Sequence, residues 1–341
     1  MKYQRMRHTP RVEVGQVIVV PYGCGVAQTI TPVFIGGSGR SGTTIALNLL
    51  KDHPQFHASL PREIKFLTAR NGILDLLSIR PLSLEESAKG IRNNLIVRAV
   101  NLVKREDVLT SKEGQRFRKR LFGSWWSETG KAGKPRGLVQ AIDHKVLEDA
   151  YQQLLHEFPQ NGPTASRNFF YTLALAQIKK PDVHSFGDST PINMMHSARL
   201  YELFPEAKFV NVIRDGRDVA LSVTKERWGP NDPYEALSWW ANRVLKSARA
   251  LAQIPQERRF EMRLEDLVTI SREATFDSYM QFLKLPEDVA VRKYFSEEVS
   301  PDRLHQGRWK SEVENPNKFN SKYMKILEKI ELQGVAVRVL L

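Results

Sequence analysis

The sequence predicts an α/β protein, and three observations carry that prediction. Residues 32–50 pass from an apolar run (Val33, Phe34, Ile35) through a glycine-rich turn into a helical apolar pattern, and residues 207–223 repeat the same order. Phe260 to Leu264 reads as another short strand among long helical periodicities. With 341 residues, 41% hydrophobic and 26% charged, the chain has the size and composition of one large α/β domain or two ordinary ones.

Residues 1–31 read as a leader, disordered or weakly strand-forming. Lys2, Arg5, Arg7 and Arg11 precede Val17-Ile18-Val19-Val20, the order of a signal peptide, but Glu13 lies just before the apolar run, and Pro21, Gly23 and Gly25 break it up. No apolar stretch reaches the roughly eighteen residues of a transmembrane helix, so no bilayer-spanning segment is expected and cytoplasm is the expected location. Cys24 is the only cysteine, which excludes an internal disulfide and a cysteine-based zinc site. Lys+Arg 51 against Asp+Glu 38 gives a net charge of +13, which favours anionic partners without choosing among cofactor, acidic substrate, nucleic acid or membrane.

The first strand–turn–helix is the most informative stretch. Gly36-Gly37-Ser38-Gly39-Arg40-Ser41-Gly42-Thr43-Thr44 lets backbone N–H groups approach an anion at a helix N-terminus. Gly37 and Gly42 hold the two glycine positions of the nucleotide-phosphate motif G-x-x-x-x-G-K-[ST], but Thr43 stands where its lysine would be. That lysine reaches the β- and γ-phosphates, so its absence argues against a nucleoside triphosphate. Arg40 offers a forked guanidinium in its stead. The pattern predicts a phosphorylated ligand other than ATP.

His53-Pro54 ends the first helix, and His53 reads as a turn residue. Residues 55–62 read as a loop leading to Arg62-Glu63-Ile64-Lys65-Phe66-Leu67, with Glu63 between two cations. From 72 to 122, Ile91, Leu95, Ala99, Leu102 and Val103 recur with helical period among many Arg and Lys. Lys112 to Arg120 is the most basic part, a solvated helix face or the wall of an acidic-substrate groove. Residues 127–137, rich in glycine and lysine, read as a flexible surface loop. Helices are expected at 143–158 and 164–179, and Gly187-Asp188-Ser189-Thr190-Pro191 reads as a turn or helix start.

The second strand–turn–helix runs from Phe209 to Ile213, turns at Asp215-Gly216 and continues into a helix bearing Ser222. Arg214 sits at the strand's carboxyl end, the edge where open parallel sheets bind ligands. Arg214 and Ser222 together suit a second phosphate, although spacing alone leaves open that Arg214 only pairs with Asp215 or Asp218. Trp239, Trp240, Val244, Leu245, Ala248 and Leu251 mark the apolar, core-facing side of one long helix. His305-Gln306-Gly307-Arg308-Trp309-Lys310 reads as a loop with two cations around a tryptophan, and Lys318 to Glu331 as a terminal helix.

Three of these stretches resemble one family. Gly36 to Thr44 is similar to the 5′-phosphosulfate loop of sulfotransferases, and Lys208 to Ser222 to their 3′-phosphate-binding strand–turn–helix. Gly307-Arg308-Trp309-Lys310 resembles their late cofactor-covering loop. Phe34-Ile35-Gly36-Gly37, Arg40 to Thr44 and His53-Pro54 resemble the tyrosylprotein and bacterial carbohydrate-type branch rather than the branch acting on small phenols. The resemblance implies a P-loop-type three-layer α/β/α fold with a central, mostly parallel sheet. It would fill residues 32–315 as one domain, with 70–185 a mainly helical acceptor-side insertion and 316–341 a helical tail.

The resemblance further implies 3′-phosphoadenosine 5′-phosphosulfate as the donor, no metal, and an acceptor hydroxyl on a glycan, lipid or small alcohol. Nucleic acid is not expected as a partner. Gly39, Arg40, Ser41, Gly42, Thr43 and Thr44 would hold the 5′-phosphosulfate, Arg214 and Ser222 the 3′-phosphate, and Arg308, Trp309 and Lys310 would cover the donor. Glu63 would be the general base and Arg40 would neutralise the leaving phosphate, with His144 and His184 as reserve bases. Ser189 stands where the family often has a lysine before Pro191, which leaves Lys65 or Lys310 to assist the bridging oxygen. The readings set beside this one are a P-loop kinase or NTPase, for which Thr43 removes the required lysine, and a non-catalytic anion- or glycan-binding protein.

Overall fold

The computed structural model describes residues 30–79, 108–130, 133–301 and 306–335. Strands β1 (Thr31–Gly37) and β2 (Phe56–Ala58) are followed by a short hairpin of β3 (Glu128–Thr129) and β4 (Pro135–Arg136), then β5 (Ser185–Asp188), β6 (Lys208–Ile213) and β7 (Arg259–Arg263). The hairpin stands apart. The other five form one parallel sheet in the order β2-β5-β1-β6-β7.

The central position of β1 follows from its sequence. A strand covered on both faces reads as a continuous apolar run, and Val33, Phe34 and Ile35 are all buried. Alternate residues leave on opposite faces. Phe34 joins Phe170, Phe204 and Phe209 on one side, its ring 5.6 Å from those of Phe204 and Phe209. Helices His144–Glu157 and Gly162–Leu175 contribute to that layer. Val33 and Ile35 join Val210, Val212 and Met262 on the other side, under helices Thr43–Leu50, Arg272–Leu283 and Val289–Glu298. A third cluster around Trp240 binds helices Gly216–Thr224, Pro233–Leu251 and Pro316–Glu331 together. The α/β class with a mostly parallel sheet is therefore observed.

Four strands differ from the sequence reading, β2 and β5 in the main sheet and the β3–β4 pair. Residues 55–62 contain β2, and the turn expected at 187–191 begins inside β5. Both strands are too short to show an alternation, and Gly187 lacks any strand preference. The predicted loop at 127–137 carries the β3–β4 pairing, Glu128 opposite Arg136. Within the long helical periodicity of 72–122, Ile73–Ser78 and Lys112–Leu121 are helical. Ile91, Leu95, Ala99, Leu102 and Val103 lie outside the described residues, as do His305 and all of the leader before Ile30. Among the described residues no helix is long and apolar enough to cross a membrane.

Candidate functional site at the carboxyl edge of the sheet

β1 lies between β5 and β6, and the chain leaves it for β2 at one edge before returning to cross toward the other. The crevice at the carboxyl ends of β1 and β6 is thus a topological switch point, the position where open α/β sheets take ligands. The glycine-rich loop fills this place. Gly37 must be glycine because a Cβ there would lie 2.3 Å from the carbonyl oxygen of Val212 and 2.5 Å from Ser41 Oγ. Gly42, at φ 98°, is the residue before helix Thr43–Leu50 and gives that helix no side-chain cap. Ile45 N and Ala46 N donate to the Gly42 carbonyl at 2.9 and 3.1 Å, and the Thr43 and Thr44 N–H groups are left for some other acceptor. Ser41 Oγ is buried and has no hydrogen-bond partner among the described residues. An anion with several acceptor oxygens fits both needs.

Arg40 adopts φ 58°, a left-handed conformation that costs a non-glycine residue energy and is retained only where surroundings impose it. Its Nε donates to Ser222 Oγ at 2.8 Å, and its Nη1 lies 3.4 Å from Glu226 Oε1. Arg214, at the end of β6, donates from Nη1 to the Arg40 carbonyl oxygen at 3.3 Å. The structure therefore brings Arg40, Arg214 and Ser222 together, although they come from places far apart in the chain.

Arg214 also faces acids, the alternative that spacing left open. Burial pulls its pKa down, while Asp218, Glu265 and Asp215 oppose that pull. Asp215 is occupied elsewhere: it caps Arg217 N and accepts the Arg217 guanidinium, Nη2 to Oδ2 at 2.6 Å. Glu265 Oε1 accepts from Asp215 N at 2.8 Å and so fixes the turn after β6. Asp218 Oδ2 accepts from Gly307 N at 2.8 Å, which draws the late loop to the helix that bears Ser222.

Within that late loop the three predicted residues separate. Trp309 is buried beneath the Arg217 guanidinium, 4.4 Å from its ring centroid, and packs near Phe319. Arg308 Nε pairs with Glu312 one turn on, and Lys310 is exposed.

Glu63 reaches the site by a different device. Asp188, at the end of β5, accepts from Ile64 N at 2.9 Å, Thr190 N at 3.1 Å, Thr190 Oγ1 at 2.8 Å and Asn193 Nδ2 at 2.7 Å. Ser189 donates from both N and Oγ to the Arg62 carbonyl, at 2.9 and 3.1 Å. Ser189 therefore secures the Glu63 segment. Burial raises the Glu63 pKa, and Lys65, Arg136 and Arg40 oppose the rise in that order. A carboxylate kept basic in the field of the loop arginine is chemically able to accept a proton there.

The reserve histidines stand away from this. His184 precedes β5 at the amino edge of the sheet, bonded to Ser185 and Gln55, and the ring of exposed His144 rests on Trp126 and Phe122. His53 is buried in its turn, accepting from Gln55 N and facing the Pro286 carbonyl.

Three residues at the site, Arg243, Glu226 and Arg136, had no sequence signal, and a fourth, Trp239, was expected elsewhere. Arg243 donates to the Ser38 carbonyl at 3.1 Å, and Trp239, expected in the core, stacks on it at 4.0 Å against the glycine loop. Helical spacing places both on one helix but does not reveal that the helix crosses under a loop two hundred residues earlier. Glu226 and Arg136 reach Arg40 and Glu63 only through tertiary structure. Asp188 lay within a noted motif, Gly187 to Pro191, but its four bonds emerge only from the fold.

A model described as the sulfotransferase family matches residues 100–288 of the chain, a span that includes Arg214 and Ser222 but neither the glycine loop nor Glu63. Solved structures that resemble the chain include the sulfotransferase domain from the curacin biosynthetic pathway, at 16% identity and TM-score 0.47, over 89% of this chain and 98% of that one. Sulfotransferase STF9 from Mycobacterium avium aligns at 13% identity and TM-score 0.49, over 91% and 78%. No curated protein sequence matches.

Proposed function

The chain belongs to the sulfotransferase family, and from that premise we propose that it transfers a sulfuryl group from 3′-phosphoadenosine 5′-phosphosulfate to an acceptor hydroxyl. The observation that supports this reading is the hydrogen bond from Arg214 to the Arg40 carbonyl, which brings the Arg214 guanidinium beside the glycine loop, where it would serve as a second anion grip. The 3′-phosphate is what separates this donor from ATP, so a selective enzyme needs two such grips.

The residues present fit the donor. The uncapped turn after Gly42, the partnerless Ser41 hydroxyl and the Thr43 and Thr44 amides suit the 5′-phosphosulfate, with Gly39 keeping the loop low. Arg214 and Ser222 suit the 3′-phosphate, and Arg308 and Lys310 stand where the Asp218–Gly307 bond holds the late loop close. When bound, the donor supplies a sulfuryl group attached to a phosphate leaving group. Arg40 would place its positive charge where that phosphate becomes more negative, and Glu63 would accept the proton of the attacking hydroxyl. Both acts need the acceptor oxygen to enter between loop and Glu63.

The test is ligand-linked stability. At about a hundred times its dissociation constant, 3′-phosphoadenosine 5′-phosphate should stabilise the protein by about 2.7 kcal/mol. ATP should do little. Equal stabilisation by both, followed in a thermal melt, would remove the case for a 3′-phosphate site.

A further inference from the structure

We propose that the acceptor carries its own negative charge beside the reacting hydroxyl, a carboxylate or a phosphate or sulfate ester on the same unit, and that Lys65 and Arg136 read it. The inference rests on the sulfotransferase reading and deepens it by naming the acceptor's chemistry.

Lys65 and Arg136 come from different elements, the start of helix Lys65–Thr68 and strand β4, yet the hairpin brings them together: Lys65 Nζ lies 3.8 Å from Glu128 Oε2, Glu128 sits opposite Arg136, and the charge of both cations acts on Glu63. Among the described residues Lys65 has one ion-pair partner, Glu128 at 3.8 Å, with both side chains about half exposed, an arrangement worth little. Arg136 is exposed and has no ion pair within 4.0 Å among the described residues. Arg62, next to Glu63, is exposed as well.

These cations work against the proposed base, because a positive neighbour stabilises the carboxylate and weakens its hold on a proton. Their position makes chemical sense if the substrate neutralises them. An anionic acceptor docked on Lys65 and Arg136 would cancel their field, and Glu63 would become a stronger base as the hydroxyl arrives. The basic surface continues beyond them. Helix Lys112–Leu121 exposes Arg118 and Lys119, and its end is tied through Trp125 and Trp126 to the β4 side of the hairpin, by Trp125 N to Arg120 O at 2.9 Å and Leu138 N to Trp125 O at 3.0 Å. Such a field also speeds the encounter with an anion.

The experiment offers the full chain labelled donor and two matched acceptor pairs, methyl glucuronide with methyl glucoside and glycerol 3-phosphate with glycerol. The expected result is turnover of a charged member with kcat/KM at least tenfold above its neutral partner. Lys65→Gln with Arg136→Gln should erase that preference by raising the acceptor KM and shift the pH limb of the Glu63 carboxyl upward. Folding is controlled by unchanged stabilisation with 3′-phosphoadenosine 5′-phosphate. Equal or better use of neutral members, no turnover of any charged member, or a double variant that keeps the preference would each overturn the proposal. Failure of wild-type protein to respond to the bisphosphate would instead strike the sulfotransferase reading itself.

Discussion

Glu63 and Asp188 divide the work of one carboxylate position between them. Glu63 faces the loop, and Asp188, buried behind it, holds the Glu63 backbone through Ile64 N. Glu63→Gln is expected to keep bisphosphate binding and lose transfer by roughly 10²–10⁴, the usual worth of a general base. In wild-type protein the acid limb of kcat/KM should lie above the ordinary glutamate range, since burial raises this carboxyl. A limb at the ordinary value, or turnover that survives the substitution, would move the base elsewhere. Asp188 is pushed up to about 6 by burial, despite four hydrogen bonds that favour its charge. A carboxyl whose folded pKa exceeds its unfolded one binds its proton more tightly in the native chain. Its contribution favours the fold at low pH and is lost as pH climbs from the ordinary aspartate value through about 6. Asp188→Asn, which offers those donors one oxygen where there were two, should cost about 1–3 kcal/mol. The cost should be larger at pH 5 than at pH 7, and urea titrations giving equal costs at both would show that Asp188 does not titrate in this window.

At the scale of elements, helix Gly216–Thr224 is the joint of the site. Its first turn gives Asp218 to the late loop, its last turn gives Ser222 to Arg40, and Arg217 is clamped between Asp215, Asn320 and the rings of Trp309 and Tyr323. Trp309 therefore anchors the late loop from beneath, with Arg308 paired to Glu312 and Lys310 exposed on its surface. A hydrogen bond to a charged acceptor contributes about 1.5–3 kcal/mol. Asp218→Ala should raise the donor KM about tenfold or more, while Asp218→Asn, which keeps an acceptor oxygen for Gly307, should recover most of the loss. Initial-rate kinetics with varied donor decide the matter. An unchanged donor KM in the alanine variant would separate the late loop from donor binding.

Across the whole molecule, what the sequence made legible was local and what it hid was tertiary. Val33 to Ile35 and Phe209 to Ile213 were readable as strands because a sheet covered on both sides demands largely apolar runs, and Phe260 to Leu264 because an edge strand alternates apolar with charged residues. β2 and β5 escaped because three or four residues show no period, and Arg243, Glu226 and Arg136 escaped because only folding brings them to the loop. Even so, every residue proposed to touch the donor falls at the carboxyl edge of the sheet or is drawn there by Asp218, while His184 and Gln55 mark the amino edge. This polarity makes a prediction for the entire chain. Hydrogen exchange measured with and without 3′-phosphoadenosine 5′-phosphate should show slowed exchange together in 37–44, 214–222 and 307–310. The three segments share no secondary-structure element, so joint protection requires one ligand that spans them. Amides at 53–56 and 184–185, at the amino edge of the same sheet, should exchange at the rate of the free protein unless the whole fold is opening. Protection of the glycine loop without the 214–222 segment would mean an anion bound by one grip, and the bisphosphate donor would then lose its structural basis.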